Sequence, residues 1–202
     1  MSHSLLAQGD SSYSEAFGLY KSGDYDKAWT IVSKKIATED KNAQLLELAG
    51  RILTAQKKYD EAETKLLEAI SLEAKRYSAN FYLGENAFQQ DRWDEAASYY
   101  AVHIRHHEDA ANSILKSVYA YIAMGNLPKA SMLALKLDIN DPLHPGYYFA
   151  KAALASVKDM SVQREKLLRQ ARTIYGQTLF SQYQFEFLKL EKLLRSAQTE
   201  MQ

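Results

Sequence analysis

The chain has 202 residues and is 47% hydrophobic, enough for one well-packed domain. Its 25 basic and 25 acidic residues cancel, so no general electrostatic pull toward nucleic acid or an anionic membrane exists, although a local patch is compatible with neutrality. It contains no cysteine, which excludes disulfides, thiolate metal sites and cysteine nucleophiles, and its three prolines and eight glycines leave room for long helices.

Met1 to Asp10 shows no basic stretch followed by an apolar core, so it does not read as a signal peptide, and residues 1–8 are expected to be a flexible terminus. No apolar run approaches the ~18 residues a bilayer span requires. The expected location is the cytoplasm, or the periplasm or exterior if a signal peptide has been removed.

From residue 9 onward the chain repeats. Gly23-Asp24-Tyr25-Asp26-Lys27-Ala28 aligns without gaps to Lys57–Ala62, Asp91–Ala96 and Gly125–Ala130, which places Ala28, Ala62, Ala96 and Ala130 each 34 residues apart. The same step carries a mostly small column (Ala16, Gly50, Gly84, Val118, Ala152) and a bulky one (Tyr25, Tyr59, Trp93, Leu127). A third, mostly apolar column holds Val32, Leu66, Tyr100, Ala134 and Leu168. Within each period two stretches space their apolar residues three and four apart, the mark of amphipathic helices. Small residues at mid-helix let two axes approach, and a bulky neighbour fills the adjacent groove. Links such as Ser22-Gly23-Asp24 suit antiparallel neighbours, with glycine ending one helix and aspartate capping the next.

The pattern defines four repeats, at 9–42, 43–76, 77–110 and 111–144. A degenerate fifth, 145–178, has Arg164 where alanine is expected, and Pro142 and Pro145 sharpen the break before it. The last segment, 179–202, sets Phe180, Tyr183, Phe187, Leu190 and Leu194 on one helical stripe flanked by Phe185, Leu188 and Leu193. It reads as a helix capping the open end of a stack, with a dimer or partner seam as the alternative.

The period, the small residue of the first helix, the aromatic after the turn and the alanine of the second helix resemble the tetratricopeptide-repeat family over residues 9–178. Pro142 stands where that family often has proline, and Asp40, Ala74 and Glu108 replace it elsewhere. The resemblance implies an all-α, right-handed superhelical stack of antiparallel helix pairs (an α-solenoid). It also implies a concave groove lined by the first helix of each repeat, where partners bind.

Register then places on that face Tyr13, Glu47, Phe81, Leu115 and Phe149, next Phe17, Arg51, Glu85, Tyr119 and Ala153, and third Tyr20, Thr54, Phe88, Ile122 and Ser156, with Lys21 and Gln89 beside them. The expected partner-binding residues are Tyr13, Phe17, Tyr20, Lys21, Arg51, Phe81, Glu85, Phe88, Gln89, Tyr119, Ile122 and Phe149, since aromatics make good anchors. The positions where some relatives clamp acidic chaperone C-termini hold Tyr13, Phe17, Leu48, Ser78 and Tyr82, none of them cationic, so that activity is not expected. Arg51 and Lys21 suit a single carboxylate, unless Glu47 or Glu85 neutralises Arg51.

No phosphate-cradling loop, zinc-protease motif, nucleophile elbow or calcium loop occurs, and no cofactor or enzymatic activity is expected. His103 and His107, four apart, share a helical face suited to a divalent metal, but a third ligand on that face is missing and no metal site is assigned. The function expected is a scaffold or adaptor that grips a peptide or helix of a partner protein, without nucleic acid or membrane insertion. The alternatives are a chaperone or assembly factor of a bacterial secretion or pilus system, and a structural subunit or homodimer using its convex face or C-terminal helix.

Overall fold

A computed structural model describes residues 11–38, 42–140 and 143–200. The terminus expected to be flexible and the positions of Asp40 and Pro142 lie outside the described residues. The described residues form ten α-helices and no strand. They fall into two compact units, 1–90 and 91–202.

Unit 1 contains α1 (Ser11–Ser22), α2 (Tyr25–Thr38), α3 (Ala43–Ala55), α4 (Tyr59–Leu72) and α5 (Tyr77–Gln89). Its core follows the repeat columns. Ala16, Ala28, Val32, Ala62 and Leu66 are fully buried, and Gly50 lies buried in the α3–α4 seam. A Cβ added to Gly50 would stand 2.4 Å from Leu66 Cγ and 3.1 Å from the Ala62 carbonyl, so the missing side chain is what lets the two helices close. The start of α3 is fixed by Asn42, whose side chain accepts the Gln44 N–H at 2.8 Å.

Unit 2 contains α6 (Trp93–His106), α7 (Ala111–Ala123), α8 (Leu127–Asn140), α9 (Pro145–Val157) and α10 (Ser161–Glu200). Ala96, Tyr100, Val118, Ala130 and Ala152 continue the buried columns. In the degenerate repeat Ala152 and Ala171 keep their buried columns, but Leu167 is buried in place of Leu168, which is only half-buried. Gly176 (φ 72°, ψ 170°) breaks α10, and the chain beyond it folds back along the first half. Arg172 covers the Phe180 ring at 4.7 Å, and Arg164 donates to Glu191 at 3.0 Å.

The turn inside each repeat uses one device. Gly23, Lys57, Asp91, Gly125 and Asp159, one per repeat at the same step, all have positive φ, from 53° to 86°. At Gly23 the chain reverses with the Asp24 N–H donating to the Leu19 carbonyl and the Gly23 N–H to the Tyr20 carbonyl, the pair of hydrogen bonds that closes a helix through a left-handed residue. The Asp24 carboxylate then takes the Lys27 side chain and backbone N–H, capping α2 and holding its carboxyl below the usual range.

Candidate functional site

The first helices of unit 1 gather a cluster around one cation. Along α1, Tyr13, Phe17 and Tyr20 lie one turn apart, with successive ring centroids separated by 6.1 and 6.4 Å. From α3 the Arg51 guanidinium rises among Phe17 at 5.0 Å, Tyr20 at 4.8 Å and Tyr82 of α5 at 4.4 Å. Such contacts hold a cation in place by ring charge distribution without satisfying its N–H groups. The Arg51 Nε is buried and lacks a hydrogen-bond partner among the described residues. Burial pushes the Tyr82 phenol up to about 12, against the opposing pull of Arg51, so it stays a neutral donor.

Glu47 does not neutralise Arg51. It is 6% exposed, and its Oε2 accepts from Arg76 Nε at 2.8 Å and Ser78 Oγ at 2.7 Å. One of the two carboxylates in the neighbouring columns is thus committed elsewhere. Thr54 donates to Asn86 Oδ1 at 3.2 Å, and Asn86 in turn donates to the Tyr59 carbonyl at 3.0 Å, which ties α3, α4 and α5 beneath the cluster. Phe81 and Glu85 are half-buried on α5, Gln89 is half-buried near its end, and Lys21 is exposed on α1.

Four of the expected contact residues are buried within the chain itself. Phe88 is 3% exposed in unit 1, and in unit 2 Ile122 is 2% exposed while Tyr119 and Phe149 are fully buried. At Phe149 the cover is the chain's own C-terminal helix. Phe149 meets Phe180 at 5.3 Å, stacks on Tyr183 at 5.7 Å and meets Phe187 edge-on at 5.8 Å. Burial raises the Tyr119 hydroxyl far above its ordinary range, with the Glu186 carboxylate adding to the effect.

Polar contacts fix the register of that helix. His144, the N-cap of α9, accepts the Gly146 N–H on Nδ1 at 3.0 Å, which leaves the neutral ring's proton on Nε2, 3.1 Å from the Tyr183 oxygen. The Tyr183 hydroxyl donates to Asn112 Oδ1 at 3.1 Å. Lys116 pairs with Glu186 at 3.0 Å, and the Glu191 Oε1 accepts from Ser156 and Arg164, each at 3.0 Å. Arg164 departs from the alanine column because it reaches this carboxylate. Asn112, Lys116, His144, Glu186 and Glu191 escaped sequence reasoning; the departure at Arg164 was the one signal pointing toward them.

His103 and His107 do stack, at 4.1 Å between ring centroids, and His103 Nδ1 lies 2.9 Å from Ser113 Oγ. Burial, then the neighbouring His107, lowers the His103 pKa to about 4. Among the described residues no group of three or more potential ligands could hold a metal ion, and no helix is long and apolar enough to cross a membrane.

Residues 5–69 match the family model described as anaphase-promoting complex, cyclosome, subunit 3. No curated protein sequence matches the chain. Its fold is similar to TTC0263, a tetratricopeptide-repeat protein of Thermus thermophilus, at 15% identity and TM-score 0.72, covering 89% of this chain and 97% of that one. It is also similar to PilF of Pseudomonas aeruginosa, at 12% identity and TM-score 0.71 over 94% and 87% of the two chains. YrrB, described as a repeat protein with an unusual peptide-binding site, aligns at 14% identity and TM-score 0.61 over 89% and 92%. At these identities the likeness carries the fold.

Proposed function

We propose that the chain, whose fold is similar to that of tetratricopeptide-repeat proteins, acts as an interaction scaffold whose unit 1 grips a peptide or helix of a partner protein on the first-helix face. The observation that carries this is the cluster of half-buried rings, Phe17, Tyr20 and Tyr82, around the Arg51 guanidinium. Rings of this kind supply large contact area at little entropic cost, and arginine adds directional donors for a carboxylate. An arginine whose Nε is buried without a partner is destabilising by itself, and a carboxylate of the bound segment would satisfy it. YrrB, which shares the fold, supports a peptide as the occupant through its description alone.

The test is affinity capture from the native lysate with the wild-type chain and with the Tyr20→Ala/Arg51→Ala double variant, quantified by mass spectrometry. The variant is expected to retain helicity and to lose more than tenfold of one specific partner, the effect of removing two anchors. Equal recovery by a folded variant removes the reading.

A further inference from the structure

The end of α10 does more than close a stack. A cap needs only to cover the last helix pair. The segment beyond Gly176 covers α9 through Phe149 and Ser156, and also reaches α7 through Asn112 and Lys116. It further meets Asp91, ahead of α6, where Lys189 Nζ lies 3.7 Å away. It therefore lies across the first-helix face of unit 2, in the manner of an amphipathic helix seated in a groove.

The seat has anchors and a charge code. Phe180 and Phe187 are 1% exposed and Leu190 4%. Lys116 takes Glu186, and Arg164 takes Glu191. The seat is also imperfect: Tyr119 Oη and Glu186 Oε2 are buried without hydrogen-bond partners among the described residues. Each such group costs free energy that a loosely held contact can recover by opening to water. The segment joins the rest through Gly176, at a φ and ψ that other residues scarcely reach, which makes a single-residue joint.

We propose that residues 177–196 are a built-in occupant of this face, and that unit 2 receives in their place a partner helix of the same chemistry. That helix carries aromatics at i, i+3 and i+7 and acidic residues at i+6 and i+11, as Phe180, Tyr183, Phe187, Glu186 and Glu191 do here. The inference is independent of the reading of unit 1 and stands if that reading fails.

The probe is a fluorescent synthetic peptide spanning residues 177–196, titrated by anisotropy into the full chain, wild type and Phe180→Ala/Phe187→Ala. The substitutions weaken the resident helix and leave Phe149, Lys116 and Arg164 intact. Binding to the variant at least tenfold tighter than to wild type is expected, with a tenfold loss when the peptide itself carries Phe187→Ala. Equally weak binding to wild type and to a variant of unchanged circular dichroism overturns the proposal. If the variant loses its helicity, hydrogen exchange on the wild-type chain decides: amides of 177–196 exchanging at least tenfold faster than those of α9 support a seat that opens by itself, and equal protection overturns it.

Discussion

At Gly50 two effects of opposite sign meet. An alanine there would gain about 1 kcal/mol in helix propensity, but its Cβ would fall 2.4 Å from Leu66 Cγ. Relieving that contact means turning a buried leucine or parting α3 from α4, at about 1–3 kcal/mol. Gly50→Ala is therefore expected to lower stability by about 1 kcal/mol net, read as a shift in denaturant midpoint at constant m-value. The residue scale also holds a pH effect. The folded pKa of His103, about 4, lies below its ordinary value near 6.5, so between those limits the unfolded chain binds more protons. Its contribution to stability is fully present above pH 6.5 and is lost as pH falls toward 4. His103→Gln should shrink the drop in Tm between pH 7 and pH 5; an unaltered drop would mean that His103 is not the titrating group.

An element here is defined by its turn as much as by its apolar face. Five turns share one left-handed residue, yet only Gly23 and Gly125 supply it without strain; Lys57, Asp91 and Asp159 hold φ of 62°, 59° and 53°. The left-handed region costs an L-residue about 1–2 kcal/mol, whereas glycine gives back about 0.4–1 kcal/mol through greater freedom in the unfolded chain. Lys57→Gly should thus stabilise the chain by about 0.5–1 kcal/mol, measured as a rise in Tm. The repeat columns showed where these turns fall, because Lys57 and Asp91 align with Gly23; their shared backbone geometry became visible only in the fold. Arg164 is the converse case. Within its own repeat it looks like an eroded alanine, and its reason, Glu191, lies 27 residues away, beyond the Gly176 break in α10.

Within each unit a helix pair is stabilised by its neighbours, so damage is expected to spread by contact. Hydrogen exchange of Gly50→Ala should show protection lost first in α3 and α4, with α9 and α10 least affected. The sequence by itself determined the 34-residue period, the pairing of helices, the buried alanine column and the face each first helix presents, because these follow from local spacing that every repeat restates. It also brought Phe17, Tyr20 and Arg51 to one face. Only the tertiary structure decided what covers that face. In unit 1 it stands Tyr82 beside Arg51 and turns Glu47 toward Arg76. In unit 2 it seats the chain's own helix on Phe149, through contacts such as Tyr183 to Asn112 that span 71 residues. Periodicity reports which side of a helix is apolar. The identity of what buries that side depends on contacts between distant segments, which no repeat spacing encodes.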